Sequence, residues 1–262
     1  MSFLGLSSWW SKVSGERSSS KSRYITPTFL QHQKMYQYVS QKVKGLSVID
    51  VGCGTGEGDI ELAKNAASVL GIDRDLASIE HANKYFKRPN LKYKCLDLMN
   101  ISLNSKFDMT LSFQVIEHLI HVDEYLLLLG KITKTKGKVI ISTPNSITQS
   151  YNENPFHIHE FTINELQHVL LKHFTKVKIL GLFGDKNLLY YEKIRKHNIN
   201  KIFSLDCFNL RRFIPRQVKM LLFSLLVFVV RKDIDSQQIS ISSYRIGKYQ
   251  DDCIDLIAIC EK

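Results

Sequence analysis

The chain has 262 residues, 44% of them hydrophobic, and a formal net charge of +11. Its length suits one globular domain with an appendage, and its apolar fraction is enough for a sizeable core. Five cysteines, odd in number, widely spaced and without a CxxC pair, exclude a disulfide framework and a structural zinc site and point to the reducing cytoplasm.

The positive charge suits an anionic partner, whether nucleic acid, acidic lipid or a nucleotide-linked substrate. A composition rich in lysine, isoleucine and asparagine accounts for it equally well. Residues 1–25 read as a serine-rich arm that packs poorly on its own, with Phe3, Leu4, Leu6, Trp9, Trp10 and Val13 as its apolar positions. The apolar stretch around Trp9-Trp10 is too short for a cleavable signal and lacks a basic start.

The core is expected over 26–182. Thr26-Pro27 opens a helix that runs to about Lys44, with His32 and Tyr36 on neighbouring turns and Gly45 closing it. Strand and helix patterns then alternate, the signature of a parallel sheet with helices on both faces. Strands are predicted near Ser47–Val51, Ser68–Ile72, Lys92–Leu96, Phe107–Phe113 and Lys138–Thr143. Helices are predicted near Asp59–Asn65, Leu76–Phe86 and Val122–Thr133. Thr162 and Glu165 form a capping box for a helix reaching about His173. Val177–Leu180 reads as a sixth strand and Ile254–Cys260, within 253–262, as a seventh.

Between the last two strands lie about 70 residues, far more than a hairpin loop needs. Residues 183–252 are therefore read as an insertion, largely helical, that caps the crevice. It holds Arg211, Arg212, Arg216 and Lys219, the apolar run Leu221–Val230, then Arg231 and Lys232. A run of about ten residues is half of what a spanning helix requires. Its basic flanks suit either peripheral contact with a membrane or a lipid-like substrate, and a core helix of the cap fits too.

Glycines Gly52, Gly54, Gly56 and Gly58 follow the first strand and lead into a helix, a turn whose free N–H groups face a ligand. No Gly-Lys-Ser/Thr follows, so a phosphate loop is excluded. Asp50 sits two residues before the first glycine, awkward for pyrophosphate and suited to an ammonium group. Asp73 ends the second strand, where it can accept from a ribose diol, and Asp97 ends the third, where it can accept from an exocyclic amine. Ammonium, ribose and adenine amine are the polar handles of S-adenosylmethionine.

On these residues the chain resembles the class I S-adenosylmethionine-dependent methyltransferases. The resemblance implies a seven-stranded Rossmann-like sheet, mostly parallel with the last strand antiparallel. It also implies donor contacts from Asp50, Gly52, Cys53, Gly54, Thr55, Gly56, Asp73, Arg74, Asp97, Leu98, Phe113 and Gln114.

Methyl transfer from a sulfonium is an in-line displacement, so the protein aligns the nucleophile and excludes water, and a hydroxyl acceptor must also lose a proton. The expected place is the carboxyl end of the fourth strand, where Glu117 and His118 interrupt an apolar stretch. The later segment Asn154–Thr162 can return His157 or His159 to the same crevice, and an extended spacing of two would let only one reach it. His118 is a candidate general base.

Glu16, Arg17, His32 and Tyr36, together with Val115–Leu119, Ser142–Asn145 and Asn154–Thr162, resemble bacterial glycan-associated methyltransferases and ubiquinone-pathway O-methyltransferases. They also resemble the small-RNA 2′-O-methyltransferases, in which the matching positions bind a divalent metal. That implies a metal set of Glu117, His118 and His157, with Gln114 in place of one expected glutamate and a weaker grip on a hard cation. Metal binding, direct base catalysis by His118 and a structural Glu-His pair all stay open. The expected acceptor is a glycan or small-molecule hydroxyl. RNA and a non-catalytic cofactor-binding scaffold at a membrane are the alternatives. The chain has no recognisable RNA-binding module, which argues against nucleic acid, and no motif fixes its oligomeric state.

Overall fold

Apolar runs rich in β-branched residues build the sheet, and each helix between them offers one apolar stripe to cover it. A computed structural model describes residues 26–97, 105–148, 156–203 and 239–262. In chain order the elements are α1 (Pro27–Ser40), β1 (Ser47–Val51), α2 (Glu57–Leu62), β2 (Ser68–Asp73), α3 (Leu76–Tyr85), β3 (Leu91–Cys95) and β4 (Phe107–Phe113). There follow α4 (Val122–Ile132), β5 (Thr133–Pro144), α5 (Ile163–Leu171), β6 (Lys176–Gly184), α6 (Lys186–Phe203), β7 (Tyr244–Lys248) and β8 (Asp255–Glu261).

The strands form one sheet in the order β3-β2-β1-β4-β5-β8-β6-β7. Strands β1 to β5 pair in parallel, and β8 runs antiparallel between β5 and β6. The chain order reverses between β1 and β4, and in such sheets the crevice beyond the carboxyl ends at that switch point is where ligands bind.

The sheet has eight strands, so the expectation of seven is corrected. The added strand, β7, lies within 183–252, the stretch read as a helical insertion, and its sequence YRIGK alternates over only three residues, Tyr244 to Ile246, too few to mark it. The other boundaries shift by small amounts. Helix α1 stops at Ser40 rather than Lys44, and β5 begins at Thr133 directly from α4, ahead of the expected Lys138. The capping box at Thr162 is present, with its hydroxyl accepting from Glu165 N and the Glu165 carboxylate accepting from Thr162 N.

The chain divides into two compact units. The larger, His32–Ser150 with His157–Phe183 and Arg245–Lys262, holds most of the sheet. Its core gathers Ile49, Val51, Ile72, Leu126, Leu129, Val139, Ile141, Leu166, Leu170, Leu256 and Ala258. Burial of each valine, leucine or isoleucine side chain among them contributes on the order of 1.5–3 kcal/mol. In the smaller, Asp185 caps the start of α6 by accepting from Leu188 N at 2.9 Å, and the Tyr244 hydroxyl donates to the Pro27 carbonyl at 2.7 Å.

Among the described residues no helix is long and apolar enough to cross a membrane. Leu98, Glu16, Arg17, Asn154 and the run Leu221–Val230 lie outside the described residues.

Candidate functional site

The turn after β1 is shaped by backbone that only glycine adopts easily. Gly54 has φ 56°, and a Cβ built on it would meet no described atom within 4 Å. Among the described residues nothing crowds its backbone, so a ligand can approach closely. Asp73, at the end of β2, accepts from Gly54 N at 3.0 Å through Oδ2 and from Asp75 N at 2.9 Å through Oδ1. Asp73 and the glycine turn are thus one hydrogen-bonded unit. Leu96 N donates to the Asp73 carbonyl at 2.9 Å, which sets the exposed Asp97 beyond the end of β3 beside the end of β2.

Asp50 is buried on β1 and accepts a 2.6 Å hydrogen bond from the Tyr36 hydroxyl of α1. Tyr36 is fixed from two sides. Its ring lies so flat on Gly58 that any side chain there would overlap it, and it meets Phe113 edge-on at 5.0 Å. Burial pushes the Asp50 carboxyl up to about 6, with the Tyr36 hydrogen bond pulling the other way. Oδ1 of Asp50 receives no hydrogen bond from a described donor. Cys53 and Thr55 are buried in the turn, Thr55 donating to Glu57, and burial raises the Cys53 thiol well above its usual range. Arg74 is exposed and offers its carbonyl to Cys95 Sγ.

Gln114, directly after β4, is the one non-glycine residue with positive φ among those described, at 55°. Its amide donates to the Ser142 carbonyl at 3.0 Å, which holds the strained turn in place. That turn delivers Val115 against Gly52, closely enough that a Cβ on Gly52 would overlap the Val115 side chain. A short 3-10 turn follows, Ile116–His118. The glycine turn and the Glu117–His118 segment are therefore in direct contact.

The Glu117 carbonyl accepts from Ile158 N at 2.7 Å and from His159 N at 3.2 Å, and Asn145 bridges to Phe161. These backbone bonds bring His157 beside His118, with ring centroids 5.1 Å apart. Ligand atoms of Glu117, His118 and His157 all lie within 4.8 Å of one another. His157 Nδ1 is 2.7 Å from Glu160 Oε1, which fixes the imidazole beside the cluster. His159 turns away, half-exposed, to Glu165 and Phe161.

Glu117 is fully buried, with Thr143 donating to Oε2 and no described donor reaching Oε1. Burial pushes its carboxyl up to about 8, opposed by the charge of His157. A buried carboxylate with an open oxygen beside two half-buried imidazoles fits a divalent cation.

Residues 42–204 match the family model described as a methyltransferase domain. The chain belongs to that family. Within it, the carboxylates and glycine turn are those of the class I S-adenosylmethionine-dependent methyltransferases, and the open face at Gly54 and the buried Asp50 fit that cofactor. A probable S-adenosylmethionine-dependent methyltransferase of Mycolicibacterium smegmatis is 30% identical over 165 residues, covering 61% of this chain and 64% of that protein. A ubiquinone biosynthesis O-methyltransferase of Rickettsia akari is 31% identical over 147 residues, covering 55% and 57%. The chain thus spans just under two thirds of the first relative and less of the second. Among solved structures, the [4+2]-cyclase SpnF superposes with a TM-score of 0.59 over 99% of this chain and 94% of that one, at 13% identity. That likeness concerns the fold alone.

Sequence reasoning missed two residues of this cluster, Asp59 and Glu160, and the backbone conformation of Gln114. Asp59 in α2 has the look of a surface acid at a helix start but is fully buried. Glu160 carried no signal beyond standing three residues after His157. The left-handed turn at Gln114 had none, because no glycine marks it.

Proposed function

We propose that this chain transfers a methyl group from S-adenosylmethionine to a hydroxyl of a sugar, glycan or other small molecule. The observation that supports it most is the convergence of Glu117, His118 and His157 on the segment that touches the glycine turn. The cofactor, when bound, supplies an activated methyl and its own leaving group. What remains for the protein is to seat the acceptor oxygen in line and accept its proton.

His118 and His157 are the groups suited to that proton, with Glu160 orienting His157. Two imidazoles and one carboxylate suit a borderline transition ion better than magnesium or calcium. Such an ion would sit among Glu117, His118 and His157 and lower the pKa of a bound hydroxyl. The ubiquinone-pathway relative is compatible with a hydroxyl acceptor.

The test is transfer of labelled methyl to a panel of nucleotide-linked and lipid-linked sugars, with and without chelator. Turnover that chelator abolishes, and that manganese or zinc restores, supports the cation. Turnover indifferent to chelator but lost in His118→Ala supports His118 as the base. Methyl ethers formed on RNA instead, with binding that falls steeply with salt, would favour the second reading, to which the charge of +11 lends weight. A cofactor that binds and is never consumed would favour the third reading, a non-catalytic cofactor-binding scaffold.

A further inference from the structure

The buried carboxylate pair Asp50–Asp59 has a chemistry that the donor site alone does not require. Asp59 is fully buried in the first turn of α2, and neither of its oxygens receives a hydrogen bond from a described donor. The sheet register sets Asp50 of β1 opposite Gly71 of β2. A Cβ built on Gly71 would overlap Asp59 Oδ2. The Asp59 carboxyl therefore lies over the very rung that carries Asp50, in space left open by glycine. Asp50 Oδ2 already accepts from Tyr36, while Oδ1 receives no other described donor.

Two carboxylates this close and this dry do not both stay ionised, because the second charge meets the first in a medium that screens poorly. One proton held between them removes the repulsion and satisfies an otherwise unpaired oxygen. We propose that Asp59 is a neutral carboxylic acid that donates its proton to Asp50, making it a positioning residue for the carboxylate that faces the donor's ammonium group.

The proposal rests on the reading of the glycine turn as the donor site. Of the pair, Asp50 is the anion, gripped by Tyr36 on one oxygen and by Asp59 on the other. The groups facing the pair agree with this division. Tyr36 comes from α1, Cys53 from the turn, Glu57 from α2, Asp73 from β2, Tyr93 from β3 and Tyr125 from α4. Burial first, then the charge of Asp50, raises Asp59 well above the carboxylate range. Burial also raises Asp50, but hydrogen bonds from Tyr36 and Asp59 restrain it at about 6. The proton thus belongs on Asp59.

The consequence concerns how donor affinity depends on pH. Binding of the ammonium group requires Asp50 ionised, so affinity falls as pH drops through the Asp50 titration. Removing the Asp59 donor moves that titration upward, while replacing its O–H by an amide N–H keeps it in place.

Two measurements on the full chain test this. The first is infrared difference spectroscopy of the ligand-free protein near pH 7.5, wild type against Asp59→Asn. A protonated-carboxyl band present in the wild type and absent from the variant is expected. The second is calorimetric titration with S-adenosylhomocysteine from about pH 5.5 to 8.5. Asp59→Asn should bind within about threefold of wild type throughout, because a donor remains. Asp59→Leu should bind about tenfold more weakly at the acid end and recover toward wild type as pH rises, because its Asp50 titrates higher. Absence of the infrared band overturns the proposal. So does an Asp59→Asn variant that loses the band yet weakens binding at every pH as much as Asp59→Leu. A wild type that binds no S-adenosylhomocysteine at any pH would sink the donor-site reading instead, and the infrared band would still decide where the proton sits.

Discussion

Tyr36 and Asp50 are joined by a 2.6 Å hydrogen bond that ties α1 to the end of β1. The bond crosses from a helix outside the alternating strand–helix pattern to the carboxylate at the mouth of the glycine turn. Tyr36 therefore belongs to the same hydrogen-bonded cluster as Asp50, although it stands 14 residues earlier in the chain.

Tyr36→Phe removes the hydroxyl and leaves the ring contacts with Gly58 and Phe113. The expected loss of S-adenosylhomocysteine affinity at neutral pH is about 1–2 kcal/mol, the worth of a buried hydrogen bond to a charged acceptor. Calorimetry reads it directly. Unchanged affinity would mean that Asp50 does not need this donor.

Asp50 also sets a trade between stability and binding. Its carboxyl is raised from 3.8 to about 6 in the folded chain. The folded state therefore holds more protons than the unfolded one across that window. Its contribution to stability is full below about pH 4 and is lost as pH rises through 6. Asp50→Asn, freed of that cost, should be more stable than the ligand-free wild type at pH 8 by about 1–3 kcal/mol. The difference should vanish toward pH 4, and the variant should lose donor affinity. Urea unfolding at the two pH values measures the first effect. Equal stability at pH 8 would contradict the burial argument.

The strands and the turn between β1 and α2 were legible in the sequence because each rests on local signals. Val48-Ile49 and Val69-Leu70 are apolar and mostly β-branched, glycines alternate after Val51, and Asp73 and Asp97 stand at strand ends. What the sequence hid was produced by contacts between distant residues. Strand β7 exists because a sheet edge was available, since its own sequence is half polar. Glu160 matters because two backbone bonds to the Glu117 carbonyl fold the 156–162 segment against the 3-10 turn. Asp59 reads as a solvated helix-start acid until Gly71 is seen to leave it room beside Asp50.

The contact between the glycine turn and the Val115–His118 segment can be isolated by a pair of changes. Gly52 has φ 86°, and a methyl group there would overlap Val115. Gly52→Ala should destabilise the fold by about 2–4 kcal/mol, from the left-handed backbone and the clash together. Adding Val115→Ala should return part of that loss, the steric part, while the backbone part remains. Chemical denaturation of the two single variants and the double variant gives the coupling. Strict additivity would mean that the two segments are not pressed together.

The central claim is that Asp50, the glycine turn and Asp73 form one S-adenosylmethionine site. Calorimetric titration of S-adenosylhomocysteine into the wild type and into Asp73→Ala tests it most directly. Stoichiometric binding by the wild type is expected, weakened in a folded Asp73→Ala by about 1–3 kcal/mol through loss of a charged acceptor and of the Gly54 tether. No binding by the wild type, or equal binding by both proteins, would contradict it.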